Sequence, residues 1–276
     1  MQGQDRSCWL LLCVGTAAFA KFCSPNKLRG NSLTEKREKL GRTVAEKYHV
    51  AHFYASHHKL CEDEEIDAVV EITADALRAH VALDCLNADK HLFIVKPMAA
   101  TLADADRMVE AAEKNRVKMM VGYMKRYDPR VAKGRALVKQ FISTGELGKV
   151  TFVRAHCLGG DLVCSIRSPI TTDELYHEAQ ANLPDWLPRG LSWDFLGFNN
   201  VYSHNIDLLR FLLGEVKKVK TAEIGKLHPC SKVVLLDFGD PWPLWRWSGD
   251  RIQAHLSRTS VPMTGPWSLW SLSPYR

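Results

Sequence analysis

Three groups of residues have the types and spacing that chemistry needs. Lys96-Pro97 directly follows the apolar run His91–Val95. If that run is a strand of an open parallel sheet, its carboxyl end faces the crevice where ligands bind. An ammonium there can hydrogen-bond a substrate hydroxyl or a cofactor amide, and can steady a developing alkoxide. The second group is Asn200, His204 and Asp207, at i, i+4 and i+7 on one face of a predicted helix. Ile206, Leu209 and Leu213 on the neighbouring face read as core, so the polar stripe borders a cleft. His204 has the chemistry of a general base that takes a hydroxyl proton. The same spacing also fits a surface His–Asp pair worth a few tenths of a kcal/mol. The third group is the turn Gly15-Thr16-Ala17-Ala18-Phe19-Ala20 after an apolar run. Its layout, G-x-A-x-x-A, is a variant of the dinucleotide fingerprint. Ala17 adds a methyl group where the second glycine normally lets the backbone approach a pyrophosphate.

The elements that must position these residues are clearest between 66 and 121. Ile66–Ile72, His91–Val95 and Val117–Val121 are short apolar runs of strand length. Between them lie two helical stretches, one with Leu77, Val81, Cys85 and Ala88 on a face. The other opens on Thr101-Leu-Ala-Asp104, a capping box, and carries Ala105, Met108, Val109 and Ala112. Strand–helix–strand–helix–strand with short links predicts parallel strands in a doubly wound, Rossmann-like α/β sheet. Residues 8–14 read as its first strand. The competing reading of residues 7–20 is a secretory leader ending in Ala18-Phe-Ala20. Between Ala20 and Leu40 no apolar run appears, so the second strand, with the acidic residue that grips the adenosine ribose, reads as missing. Lys27, Arg29 and Arg37 in that stretch would suit a 2′-phosphate.

Beyond Gly122 the pattern changes to an α+β domain with a mostly antiparallel sheet. A helix is predicted over 129–142 and closed by Gly145-Glu-Leu-Gly148, and a second runs from Tyr202 to Leu213. Strands are predicted at 150–156, 216–224 and 232–238. The stretch from Pro241 onward holds five tryptophans among prolines and serines and fits either a sheet edge or a tail. The expected domains are 1–122, dinucleotide-binding, and 123–276, for substrate and oligomerisation, the latter reading as truncated.

Composition narrows the classes further. Hydrophobic residues make up 46% and charged residues 25%, an ordinary globular balance. A net charge of +6 spread over interleaved acids and bases gives no basic stripe, so no nucleic-acid partner is expected. No apolar run is long enough for a membrane span. The eight cysteines form no CxxC and predict no metal centre; they fit a reduced, cytoplasmic protein, or a secreted one if residues 1–20 are a leader.

Several of these stretches together resemble the glucose-fructose oxidoreductase and inositol dehydrogenase family (Gfo/Idh/MocA). Asp63-Glu-Glu-Ile-Asp-Ala-Val-Val70 resembles the entry to its fourth strand, and Ala82–Pro97 its "ALxAGKHVFVEKP" signature. Gly145–Val150 and Ser203–Glu215 are similar to its substrate-domain landmarks. The resemblance runs over roughly residues 40–222. It implies NAD or NADP as cofactor and hydride exchange with a hydroxyl of a sugar, cyclitol or similar polyol. It also implies a homo-oligomer built through the C-terminal sheet. By position it assigns Lys96 to the EKP lysine and His204 to the acid/base histidine. Tyr123, Arg126, Asn200 and Asp207 fall to the substrate. Gly15, Thr16, Ala17, Phe19, Ala20, Thr73, Lys96 and Pro97 fall to the cofactor. This chain departs from the pattern at Val95 for glutamate, Asn200 for aspartate, Ala74 and Arg78 for the proline and histidine of "TPxxxH", and Asp89 for a glycine. Those departures motivate a rival expectation, an inactive relative that binds a sugar or nucleotide-sugar or serves as an assembly partner.

Overall fold

The computed structural model describes residues 9–13, 30–148, 150–156, 170, 172–175, 182–224, 232–239 and 253–258. It divides into two compact units. The first comprises residues 1–122 and 164–199, the second residues 123–163 and 200–276.

In the first unit six parallel strands stand in the order β3-β2-β1-β4-β5-β6. They are β1 (Trp9–Cys13), β2 (Gly30–Thr34), β3 (His52–Tyr54), β4 (Ala68–Ile72), β5 (His91–Val95) and β6 (Met119–Gly122). The helices are α1 (Glu38–Tyr48), α2 (His57–Cys61), α3 (Asp75–Asn87) and α4 (Leu102–Lys114). Because successive side chains of a strand point to opposite faces, Val69 joins a core with Leu60, Val81, Ala82, Cys85, Ile94 and Met108. Its neighbour Val70 joins a separate core with Leu33, Leu40, Val44 and Ala45. The sheet is therefore covered on both faces, as a doubly wound sheet must be.

The second strand is present, which corrects the sequence expectation. Gly-Asn-Ser-Leu-Thr lacks an apolar run, yet Ser32, Leu33 and Thr34 are all at most 2% exposed. Paired between β1 and β3, the strand satisfies its backbone on both sides, and small side chains fill the space. The helix after it was also invisible, because its N-cap, Arg37, makes no side-chain cap. The cap comes from far along the chain instead. The Glu174 carboxylate accepts from the backbone N–H groups of Lys39 and Leu40 at 3.1 and 2.9 Å. Thr101 caps α4 as its capping box predicts, accepting from Asp104 N–H at 3.1 Å. Asp89 takes the left-handed conformation (φ 59) expected where the resembling family carries glycine.

The second domain expected from sequence began at 123 and ran unbroken; instead, residues 164–199 belong with the first unit. Besides Glu174, this returning stretch contributes Asn182, which donates to Asp104 at 2.7 Å, and Asn199, which donates to the Ala99 carbonyl at 3.3 Å. A loop-rich, proline-punctuated segment carries no periodicity that could reveal such long-range partners.

The second unit contains α5 (Pro129–Thr144) and a four-stranded sheet of order β7-β10-β9-β8. Its strands are β7 (Phe152–His156), β8 (Lys218–Ile224), β9 (Lys232–Asp237) and β10 (Gln253–Arg258). The β8–β9 and β9–β10 pairs are antiparallel and β10–β7 is parallel. β10 falls in the tryptophan-rich stretch and is an interior strand; the tryptophans themselves lie outside the described residues. The helix predicted from Tyr202 begins earlier, as α6 (Ser192–Leu213), of which residues 200–213 belong to the second unit and 192–199 to the first. Gly145, in the left-handed conformation (φ 66), closes α5 as its sequence suggests.

Candidate functional site

All six strands of the first unit run the same way, so the residues just past their carboxyl ends gather at one edge of the sheet. The order of the strands reverses at β1, which makes the crevice beside it the ligand position of such folds. Gly15, Thr16, Ala17, Phe19 and Ala20, which come after β1, lie outside the described residues. Glu35 succeeds β2, Thr73 succeeds β4, and Lys96-Pro97 succeeds β5.

Glu35 is an acidic residue at the end of β2 that sequence reasoning missed. It stands about 20 residues after Gly15, the spacing at which a dinucleotide domain places its ribose-binding carboxylate. That spacing was the available signal, obscured by the polar strand before it. Glu35 is buried, and its carboxylate accepts from Arg37 three times: from N–H at 3.1 Å, Nε at 2.8 Å and Nη2 at 3.0 Å. A carboxylate and a guanidinium thus share the end of β2. They fit a nucleotide ribose, the acid suiting a free 2′-hydroxyl and the base a 2′-phosphate.

At the end of β4 an ion-pair network fixes the backbone. Glu71 is fully buried within the strand and Arg78, on α3, is 3% exposed. Arg78 donates to Asp75 at 2.7 Å, to the Thr73 carbonyl at 2.8 Å and to the Pro97 carbonyl at 3.0 Å, and its Nε lies 3.4 Å from Glu71. Thr73 donates its N–H to Glu71 at 2.7 Å and its hydroxyl to the same carboxylate oxygen. Burial pushes the Glu71 carboxyl above the usual range, against the pull of Arg78 and of the Thr73 hydrogen bonds. Both donors of Thr73 are thereby engaged within the protein, so its expected cofactor role is limited to the remaining lone pair and methyl group. Arg78 occupies the position where the resembling family carries histidine, and here it ties the ends of β4 and β5 together. The Lys96–Pro97 peptide bond is cis. Lys96 is half-buried, and burial lowers its ammonium pKa, with Asp75 opposing and Arg78 reinforcing that shift.

The second unit brings together the residues expected around His204. Tyr123 meets His204 edge to face, with ring centroids 6.2 Å apart. Burial raises the Tyr123 phenol pKa, while a hydrogen bond with Ser203 lowers it. Asp207 is not an open substrate ligand as its place in the stripe suggested. It is 5% exposed and accepts from Arg126 at 2.8 Å (Nε) and 2.6 Å (Nη2) in a forked pair. The Arg126 guanidinium in turn lies 5.1 Å from the Phe211 ring centroid, and Arg135 lies 4.1 Å from the same centroid. Both Arg126 and Asp207 are therefore committed to each other, holding the 3₁₀ turn Met124–Tyr127 against α6. Asn200 is exposed at the start of the stripe, and His204 is partly buried.

The fold and part of the sequence find matches among known proteins. The family model described as "Oxidoreductase family, NAD-binding Rossmann fold" (GFO_IDH_MocA) matches residues 15–123. Over those residues the chain is similar to the Gfo/Idh/MocA family. Inositol 2-dehydrogenase of Salmonella paratyphi B (strain ATCC BAA-1250 / SPB7) is 35% identical over 127 residues, 45% of this chain and 37% of that one. Myo-inositol 2-dehydrogenase of Thermotoga maritima is 32% identical over 123 residues, 45% of this chain and 36% of that one. The matches thus span little more than a third of the length of these curated relatives. A crystal structure of a probable dehydrogenase from Thermotoga maritima shares the fold, with a TM-score of 0.67 at 21% identity over 91% of this chain and 68% of that one. The NAD-binding fold of the Gfo/Idh/MocA family accords with the expected cofactor, NAD or NADP. Among the described residues no helix is long and apolar enough to cross a membrane.

Proposed function

We propose that this chain exchanges hydride between a nicotinamide dinucleotide and a hydroxyl of a cyclitol, sugar or similar polyol. The observation that carries this reading is Lys96. A half-buried ammonium directly follows strand β5, its loop tied by Arg78 to the end of β4. Such a charge, held in place before substrate arrives, can hydrogen-bond a hydroxyl and stabilise the alkoxide character it gains as its proton leaves. When bound, the nicotinamide supplies or accepts the hydride. Glu35 and Arg37 would hold the adenosine ribose. His204, supported by Tyr123, takes or returns the hydroxyl proton, and the Arg126–Asp207 pair fixes the backbone on which it stands. The names of the relatives, inositol dehydrogenases, support a cyclitol as the substrate class. Assembly through the C-terminal sheet is part of the same proposal. So is a cytoplasmic setting, with which Cys61 and Cys85, free thiols 3.6 Å apart, agree.

Titration with NADH and with NADPH, read by nicotinamide fluorescence, tests the first step. Saturable binding of either at or below ~1 mM is expected. Oxidation of myo-inositol and related polyols by the parent, lost in His204→Ala and Lys96→Met, would complete the case. Turnover untouched by His204→Ala would refute the proton-transfer assignment. Absence of all nicotinamide binding would refute the reading as a whole.

A further inference from the structure

The first unit holds a set of nitrogen and oxygen donors that the proposed chemistry does not use. His57 and His58 are adjacent on α2. His80 and Asp84 stand four residues apart on α3, hence on one face of that helix. One ligand atom from each of the four lies within 4.8 Å of every other. Asp84 is the hub: its Oδ2 is 2.8 Å from His57 Nε2, 3.5 Å from His80 Nε2 and 3.7 Å from His58 Nδ1. The three rings crowd together, with centroids 4.0 Å apart for His57–His58, 5.8 Å for His57–His80 and 6.2 Å for His58–His80.

One carboxylate is a sufficient partner for one imidazolium. An ionised carboxylate only accepts, so without metal His57 Nε2 donates to Asp84 at 2.8 Å, and a metal ion seated among the four groups would take the place of that hydrogen. Three neutral imidazole nitrogens and one carboxylate oxygen are a donor set that a tetrahedral zinc ion accepts. Metal–nitrogen bonds of 2.0–2.1 Å imply donor–donor edges of about 3.4 Å. The distances of 2.8, 3.5 and 3.7 Å around Asp84 bracket that value. The wider separations close by rotation of His58 and His80, whose side chains are 58% and 65% exposed. His57, at 9%, is the fixed point about which they turn.

We propose that His57, His58, His80 and Asp84 bind a divalent transition metal, zinc(II), which staples α2 to α3. Four protein ligands close the coordination shell, so the site is structural rather than catalytic. The two helices already share a core through Leu60, Val81 and Cys85, and the ion would join them again at their rim. The sequence concealed the site because its halves lie more than twenty positions apart and neither carries a familiar ligand spacing.

Metal-stripped full-length protein titrated calorimetrically with zinc chloride tests the proposal. One equivalent should bind, and zinc should raise the unfolding temperature, since an ion that binds only the folded state stabilises it. Cobalt(II) in its place should show the intense visible absorption of four-coordination. In His58→Ala/His80→Ala, affinity should fall by at least about 100-fold, the upper end of what losing a mere outer-shell partner costs. Both side chains are exposed, so circular dichroism should report an intact fold. His52→Ala, which changes an exposed histidine outside the group, should bind as the parent does. Absence of a saturable equivalent, six-coordinate cobalt, or equal binding by the double variant would overturn the assignment.

Discussion

Arg78→Met is the most informative single perturbation of the first unit. The side chain it removes joins two carboxylates, Glu71 and Asp75, and the carbonyls of Thr73 and Pro97. Methionine keeps the length and apolar volume and deletes the charge. Removing one partner of a buried ion pair costs about 3–5 kcal/mol, because the other is left charged without compensation. Glu71 retains both hydrogen bonds from Thr73. Its carboxyl is already pushed up by burial, so it escapes by taking up a proton. The expected loss near pH 8 is therefore about 3–4 kcal/mol, a large share of the roughly 5–15 kcal/mol that holds a domain folded. The same burial sets the sign of the pH dependence. A carboxyl whose folded pKa is raised contributes most to stability below its unfolded pKa, and that contribution is lost as pH rises through the folded pKa. Losing Arg78 raises the folded pKa further, so the deficit of the variant should shrink between about pH 8 and about pH 6, by up to ~1.4 kcal/mol per unit. Urea unfolding at both pH values, followed by circular dichroism, measures this. Glu71→Gln/Arg78→Met should recover at least half the loss, because the orphaned charge is gone. A loss below about 1 kcal/mol, or one identical at the two pH values, would refute the account of the network.

Three further outcomes are expected. If the Lys96 ammonium is the working form, kcat/KM falls on the alkaline side below the ordinary lysine range, because burial disfavours its charge; Lys96→Arg, which stays charged, moves that limb upward, and an unmoved limb assigns it to another group. Glu35→Ser leaves Arg37 without its carboxylate and should shift preference toward NADPH by at least about tenfold in the ratio of dissociation constants, a change of about 1.4 kcal/mol. Asp207→Asn breaks the fork with Arg126 and should cost about 1–2 kcal/mol, discounted because Arg126 is partly exposed. Thermal unfolding would register that cost, whereas a raised KM with unchanged stability would return Asp207 to direct substrate contact.

The parallel sheet was legible wherever buried strands were also apolar. Val69, Leu92 and Ile94 announce β4 and β5, because their side chains and their positions carry the same message. β2 was not legible, since its burial is achieved by Ser32 and Thr34, whose types usually signal a turn. The helix after it was hidden for a related reason: its cap, Glu174, lies well over a hundred positions away, and no local rule reaches that far. Among the site residues, Lys96 could be placed from the strand that precedes it. The commitment of Asp207 to Arg126 and of Thr73 to Glu71 could not be placed, because periodicity tells which face a side chain occupies and not which partner it meets there. The polar stripe on α6 was correct as a helical face, and part of that face proved to be a buried ion pair.

The first unit is discontinuous in sequence. The chain leaves it at Gly122 and re-enters for residues 164–199, bringing the carboxylate that caps α1 and the amides that bind Asp104 and Ala99. A single exchange of genetic material at residue 122 would therefore transmit a nucleotide-binding sheet stripped of three of its tethers. Insertion or shuffling would have to respect two breakpoints at once. Descent for this pair of units is thus expected to be joint: the half that recognises a nucleotide and the half beyond it are inherited together or not at all.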